Sequence, residues 1–167
     1  ALSEALSALP EKMRFGVILA GDVPEQILEI GEHDAATRRA AAKKLRRAAY
    51  FGGVDNGAAL KLAIEQKPNK LVWIHGPQPV KNAELAAWLS QRVRIAGTEI
   101  HSLSVSPGTN YLLSALTDRP QLRSDEIVRD LRADIVALIA SWQFPAETAQ
   151  TWTRFDSETC LLYTSDA

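Results

Sequence analysis

Two loops carry the side chains that are best placed to do chemistry in this sequence. The first, Phe51 to Gly57, reads Phe-Gly-Gly-Val-Asp-Asn-Gly and leads into a helical pattern. The second, Leu71 to Pro79, starts as an apolar run of strand length and stops at a Gly/Pro turn. Both lie where strands and helices meet, which is the edge of an α/β sheet at which ligands and partners usually bind. With a third loop, these residues predict a binding edge formed by Val54, Asp55, Asn56, His75, Gln78 and Asn110.

His75 is the residue of this edge with catalytic potential. Paired with Asp22 or Asp55, its imidazole would suit a small α/β hydrolase or transferase. However, a histidine at the end of an apolar strand is more often a hydrogen-bonded structural residue, and Asp22 lies in an ordinary Gly-Asp-x-Pro turn. The chain lacks a Gly-x-Ser-x-Gly elbow, a Walker A loop and a Rossmann Gly-x-Gly-x-x-Gly motif. No motif specifies a reaction, so we predict that the protein is not an enzyme.

Short apolar runs alternate with helical patterns along the chain. Continuous apolar runs at Arg14–Ala20 and Leu71–Ile74 are typical of strands in a sheet that is covered on both faces. Glu99–Val105 alternates with period two, and Gln26–Ile30 suits a short edge strand. Helices are predicted over residues 1–9, 35–50, 56–66, 83–96, 111–116 and 124–144. Strands that alternate with helices predict an α/β fold with a mostly parallel sheet.

Polar residues and one glycine predict where several helices begin and end. Asp34, Asn82 and Asn110 are placed as N-caps, whose side chains accept hydrogen bonds from the first helical turn. Asp55 is predicted to cap the following helix, a role worth about 1 kcal/mol. Gly97 is placed for a left-handed C-cap.

The composition excludes several functional classes. With 167 residues, 46% hydrophobic and 23% charged, the chain is an ordinary globular domain. Its 19 basic and 20 acidic residues give a net charge of -1, so no overall field attracts nucleic acid. No apolar run approaches the roughly 20 residues that span a bilayer. One cysteine allows neither an internal disulfide nor a cysteine metal cage. We predict a soluble segment without cofactors, nucleic-acid binding or membrane insertion.

Six basic residues lie close together in one predicted helix: Arg38, Arg39, Lys43, Lys44, Arg46 and Arg47. Most of them fan over one side while Ala41, Leu45 and Ala48 line the other, which is typical of an ordinary surface helix. No aromatic residues are interleaved for stacking on bases. Docking on an acidic partner is the alternative, and it predicts salt-dependent binding that is lost when Arg38 and Arg39 are reversed in charge.

These loops and their neighbours resemble the second half of a von Willebrand factor A (vWA) domain. In that family a Gly-Gly-Thr loop precedes a helix and a later strand ends in Thr-Asp-Gly; Gly52-Gly53-Val54-Asp55 and Trp73-Ile74-His75-Gly76 occupy those places here. Leu6–Pro10 and Phe15–Ile18 match the family's first helix and second strand. The resemblance covers residues 1–143 and implies a three-layer α/β/α fold with Rossmann-like topology. It is closest to a divergent bacterial branch of larger, often membrane-attached proteins that carry a vault/inter-alpha-trypsin (VIT) domain.

The resemblance also implies that the family's first strand, which is central in its sheet, lies upstream of Ala1. The chain starts without Met and already in helical rhythm, as expected for a fragment. We therefore expect the strands at Phe15–Leu19 and Leu71–Ile74 to be unpaired on facing edges or collapsed together. A central strand drawn from within these residues would contradict the alignment.

The metal-ion-dependent adhesion site of the vWA family is degenerate in this sequence. Mg²⁺ requires oxygen ligands in near-octahedral positions. Val54 stands where the family has a metal-binding Thr, and His75 stands at the Thr-Asp-Gly carboxylate, where an imidazole suits zinc or copper better. The Asp-x-Ser-x-Ser loop is absent as well. The resemblance thus implies a non-catalytic, metal-independent module of a larger bacterial protein that binds another protein or another domain of its parent chain.

The last eight residues, Cys160 to Ala167, resemble the translated sequencing-adaptor read-through that ends some metagenomic reading frames. We predict that residues 160–167 are not native protein and that residues 144–159 are a linker or the start of another segment. Residues 1–143 then form the partial vWA-like domain.

Overall fold

The structure is a computed structural model and describes residues 2–10, 12–21, 23–48, 53–116, 122–123, 130–142 and 158–163. Its helices are α1 (Leu2–Ala8), α2 (Ala35–Arg47), α3 (Gly57–Glu65), α4 (Ala83–Ala96), α5 (Tyr111–Leu116) and α6 (Leu131–Ser141). Its strands are β1 (Arg14–Leu19), β2 (Glu25–Glu32), β3 (Lys70–His75), β4 (Glu99–Ser104), β5 (Leu122–Arg123) and β6 (Glu158–Tyr163). Helices and strands are mixed along the chain, which confirms the predicted α/β class.

The strands form one sheet in the order β2-β1-β6-β3-β4-β5. β2 runs antiparallel to β1 at the edge, and the other neighbours are parallel. β1 and β3 are buried beyond their first residues, which explains their continuous apolar runs. The predicted edge strand is confirmed in β2, whose pairing is interrupted by two register shifts, a common protection of edge strands. The alternation in β4 is misleading, because polar His101 and Ser102 are buried there too.

The expectation of a sheet without a central strand is wrong. β6 lies between β1 and β3, where it pairs in parallel with six residues of β1 and five of β3. It includes Glu158 and Thr159 from the predicted linker and Cys160–Tyr163 from the predicted non-native tail. No local period in the sequence indicated this strand. A segment of the chain itself thus joins a β1–β2 side of the sheet to a β3–β4–β5 side.

Helices cover both faces of the sheet. Phe15 and Val17 of β1 share one apolar cluster with Val72 of β3 and with residues of α1, α2 and α6. The intervening strand residues, including Ile18 and Trp73, share a second cluster with α3, α4 and α5. The two clusters therefore use alternate residues of the same strands, as expected when a sheet is packed from both sides.

Most of the predicted helix ends are confirmed. The side chains of Asp34, Asn82 and Asn110 accept hydrogen bonds from Thr37, Leu85 and Leu113 at 2.7, 3.0 and 2.7 Å. Gly97 closes α4 with a φ of 68°. Two predictions need correction. Asn56 rather than Asp55 is the N-cap residue of α3, and Asp130 caps α6, so one helix does not continue from Ser124, which lies outside the described residues.

Arg38 is not part of the solvated basic face that the sequence predicted. It is 6% exposed, and its guanidinium donates hydrogen bonds to the carbonyls of Leu9, Pro10 and His33 at 2.6, 2.8 and 2.8 Å. The charge thus ties α2 to the end of α1, and it also lies 5.3 Å from the centre of the Phe15 ring. A charge reversal at Arg38 would test folding rather than binding. In the described ranges, no helix has the length and apolar content that crossing a bilayer requires.

Candidate functional site

Two of the predicted loops follow β3 and β4 and meet at the carboxyl ends of these strands. The Gly-Gly loop, which the sequence predicted at a strand end, lies between α2 and α3 instead. Gln78 forms an isolated parallel bridge with Asn110. The backbone N–H of Gln78 donates to the Thr109 carbonyl at 2.8 Å, and the N–H of Tyr111 donates to the Gln78 carbonyl at 3.0 Å. The loop after β3 and the loop after β4 are therefore joined through their backbones.

The Gln78 side chain connects these two loops to the Gly-Gly loop. It is fully buried, and its Oε1 accepts a hydrogen bond from the Asn56 N–H at 2.6 Å. Its Nε2 donates to the carbonyls of Gly53 at 2.6 Å and Pro77 at 3.0 Å. A buried amide must satisfy its donors and acceptors, and Gln78 does so by fixing the position of a neighbouring loop. We refer to Val54, Asp55, Asn56, His75, Gln78 and Asn110 with these connections as the carboxyl-end edge.

Asn56 extends the network into the core. Its Oδ1 accepts from the indole Nε1 of Trp73 at 3.1 Å, and its Nδ2 donates to the Gly53 carbonyl at 3.3 Å. Asn56 and Trp73 are both completely buried. Gly57 follows, and a Cβ added there would lie 2.0 Å from Leu85. Hydrogen bonds thus fix Asn56, and a side chain at position 57 would require Leu85 to move.

His75 is buried in a neutral environment at the end of β3. A carbonyl 2.8 Å from Nδ1 requires a hydrogen on that nitrogen, so Nδ1 donates to Gly76 and Nε2 accepts from the Ser102 hydroxyl at 2.7 Å. The Asn110 amide nitrogen also lies 3.3 Å from Nδ1. Burial lowers the pKa of His75 below its usual 6.5, and the hydrogen bond to Gly76 opposes this only in part. His75 is therefore a neutral structural link at pH 7.

The two acidic residues of the catalytic alternative do not join His75 in the part of the chain that is described. Asp55 is half-buried, and its Oδ1 accepts from the Gly57 N–H at 2.9 Å. The hydrogen bonds of His75 go to the Gly76 carbonyl and the Ser102 hydroxyl instead. Asp22 lies outside the described residues.

The donor set of the carboxyl-end edge does not fit a hard divalent cation. The side-chain oxygens of Asn56, Gln78 and Asn110 already accept hydrogen bonds, and one Asp55 oxygen does too. Mg²⁺ prefers carboxylate and water oxygens, yet Asp55 is the one carboxylate among the six edge residues. Among the described residues, no group of three or more His, Cys, Asp or Glu side chains could hold a metal ion.

Three apolar side chains in and beside the loops of this edge are exposed. Val54 is 48% exposed, Val80 39% and Tyr111 37%. All three are close in the chain to groups bonded to Gln78, and the Lys81 ammonium lies 4.5 Å from the centre of the Tyr111 ring. Val54 was a predicted site residue, whereas Val80 and Tyr111 were not. Ser102 was missed as well, because the polar residues that alternate along β4 gave no sign that this serine is buried.

No family model and no curated protein matches the sequence. What this protein does must therefore follow from its own residues and contacts.

Proposed function

We propose that this protein is a non-catalytic, vWA-like interaction module that binds another protein, or another domain of its parent chain, at the carboxyl-end edge. The observation that carries this proposal is the contrast within the edge: buried polar groups are satisfied internally, while Val54, Val80 and Tyr111 are exposed. Exposed apolar groups on a rigid support are typical of protein contact surfaces.

The position of β6 also bears on the vWA-like part of the proposal. The family alignment requires a one-strand gap between β1 and β3, and the structure has one strand at that position. That strand, β6, comes from within the chain. A central strand of this origin contradicts the alignment with the vWA family, which places the strand upstream of Ala1. β6 includes Cys160–Tyr163, which the sequence predicted to be non-native. The three-layer vWA topology and the origin of the tail both remain proposals, and a deletion of the tail tests them.

The hydrolase or transferase alternative has less support. The Ser102 hydroxyl and His75 Nε2 form a serine–histidine pair at 2.7 Å, but Ser102 is fully buried and His75 is 1% exposed. A nucleophile must reach its substrate, and this pair lies inside the sheet with its hydrogen bonds satisfied. The metal-dependent alternative is disfavoured by the donor set described above.

A selection from a phage-displayed peptide library on the intact protein tests the proposal. We expect the selected peptides to bind the wild type and an Ile95→Lys variant alike, because Ile95 is a 62% exposed apolar residue on α4, apart from the edge. Val54→Lys should weaken binding about tenfold, the effect expected for a contact near an interface centre. Chelation by EDTA should leave binding unchanged.

Two results would count against the module. If the selected peptides bound the Val54→Lys variant as well as the wild type, the contact surface would lie elsewhere. If EDTA released them, the edge would act through a metal after all. A comparison of the far-ultraviolet circular dichroism of the variants and the wild type shows whether the fold is retained.

A further inference from the structure

A second surface lies on the β1–β2 side of the sheet, away from the carboxyl-end edge. It is a groove of about 390 Å³ between α2 and the start of β2. We call it the α2 groove. Its lining residues are Glu25, Ala40, Lys43, Lys44, Arg47 and Ala48.

The α2 groove is strongly basic for a protein with a net charge of -1. Three cations line it against the single carboxylate of Glu25, which lies 2.6 Å from Lys44. Arg39 and Arg46 are exposed beside it on the same helix. In the described part of the chain, Lys43 and Arg47 form no ion pair.

The helix dipole explains only part of this charge. Lys44, Arg46 and Arg47 lie in the last turn of α2, where cations interact favourably with the free carbonyl groups. Arg39 and Lys43 lie earlier, beyond the reach of that effect. The buried face of α2 is formed by other residues, so packing does not require these cations either.

We propose that the α2 groove binds an acidic peptide segment of a partner protein. Carboxylates of the peptide pair with Lys43 and Arg47, and a further one replaces Glu25 on Lys44. Small apolar side chains of the peptide lie on Ala40 and Ala48, which form the uncharged part of the lining. The Lys44–Glu25 pair is half exposed on both sides, so its exchange for a peptide carboxylate costs little.

The same features favour a peptide over nucleic acid. The lining contains no aromatic side chain on which a base could stack. A peptide can place one carboxylate on Lys44 and a neutral residue opposite the displaced Glu25, whereas a phosphate backbone carries a charge at every nucleotide. Alanines in the lining suit short side chains rather than sugars and phosphates.

Fluorescence anisotropy with a labelled peptide of alternating glutamate and alanine tests this on the full chain. We expect binding at low salt that weakens about tenfold in the Lys43→Glu/Arg47→Glu variant and weakens further as salt shortens the Debye length. Glu25→Gln should bind about threefold more tightly, because Lys44 loses its internal partner. The control variant Lys67→Glu/Arg94→Glu, which reverses two exposed charges on the β3–β4–β5 side, should bind as the wild type does.

Each other outcome overturns the inference. Absence of peptide binding at low salt would overturn it. Equal weakening of binding in Lys43→Glu/Arg47→Glu and in the control Lys67→Glu/Arg94→Glu would overturn it too, because the peptide would then be attracted by net charge alone. Tighter binding of a single-stranded oligonucleotide of equal charge would assign the groove to nucleic acid. A Lys43→Gln/Arg47→Gln variant separates loss of the cations from repulsion by the new carboxylates. Val54→Lys should leave peptide binding unchanged, so this test is independent of the module proposed above.

Discussion

The two sides of the sheet, which β6 joins, differ in where their polar side chains lie: they are buried on one side and exposed on the other. On the β3–β4–β5 side, Asn56, His75 and Gln78 are buried, neutral and hydrogen-bonded to one another or to nearby backbone. On the β1–β2 side, α2 exposes its charges, and the ion pair Lys44–Glu25 is half exposed. The first arrangement fixes the shape of an edge at which Val54, Val80 and Tyr111 are exposed. The second provides a positive electrostatic field from exposed side chains whose positions no buried hydrogen-bond network fixes. We therefore expect a shape-specific, salt-tolerant contact on one side and a salt-sensitive contact on the other.

Deletion of residues 158–167 would remove the strand that joins the two sides, and it should have the largest effect. Six residues of β1 and five of β3 would lose their strand partners. Each of their backbone groups that stays buried without a partner costs about 1–3 kcal/mol, and two strands of the sheet would be affected at once. We expect aggregation and no cooperative urea transition, as measured by size-exclusion chromatography and circular dichroism.

The shorter deletion of residues 164–167, which lie beyond β6, is the matched control for this experiment and should unfold as the full chain does. A monomeric, cooperatively folding protein after the longer deletion would mean that β1 and β3 do not depend on Glu158–Tyr163. It would also support the interpretation of the tail as non-native sequence.

Gln78→Ala should be the most damaging single substitution at the carboxyl-end edge. It would leave the Asn56 N–H without its acceptor and the Gly53 carbonyl without its strongest donor. We expect the free energy of unfolding to fall by about 3 kcal/mol. Gln91→Ala, on the exposed face of α4, should change it by less than about 0.5 kcal/mol in the same urea titration. Equal effects of the two substitutions would show that the buried network does not stabilise the edge.

Arg38→Met tests the one basic residue of α2 that is buried, in contrast to the exposed charges on the rest of this helix. Its three carbonyl partners would lose charge-assisted hydrogen bonds, while methionine would keep part of the apolar stem. We expect a loss of about 2 kcal/mol in thermal or urea unfolding. Arg39→Met, next to it and exposed, should have little effect on stability. The reverse order would contradict the assignment of Arg38 as the link between α2 and α1.

The smallest of these effects should be the contribution of His75 to the pH dependence of the free energy of unfolding. Because burial lowers its folded-state pKa below the unfolded value of 6.5, the unfolded chain binds this proton first on acidification. The stability contribution of His75 is complete above pH 6.5 and declines as the pH falls from there toward the folded-state pKa. His75→Gln should remove this part of the slope in urea titrations between neutral pH and pH 5, while the slope from carboxylates remains. Identical slopes would indicate that His75 titrates normally.

Local physics made much of this fold predictable. Continuous apolar runs identified β1 and β3, and side-chain caps identified the starts of α2, α4 and α5, because both signals depend on residues close together in the chain. The loops after β3 and β4 followed from their position at strand ends, whereas the Gly-Gly loop lies between α2 and α3. Their chemistry did not, since the hydrogen bonds of Gln78 depend on a residue more than 20 positions away. β6 was missed because residues 160–167 were interpreted as non-native, and because its place between β1 and β3 depends on pairing across most of the chain.

The most direct test of the central claim, that the carboxyl-end edge is a metal-independent contact surface, is an NMR titration of the ¹⁵N-labelled protein with Mn²⁺. A paramagnetic ion held at the edge would broaden nearby amides at stoichiometric concentrations. We expect no saturable broadening of Gly53 to Gly57, His75 to Gln78 or Asn110, because the oxygen and nitrogen atoms there are engaged with one another. Saturable, stoichiometric broadening of these amides, reversed by Mg²⁺, would contradict the account and restore a metal site to this edge.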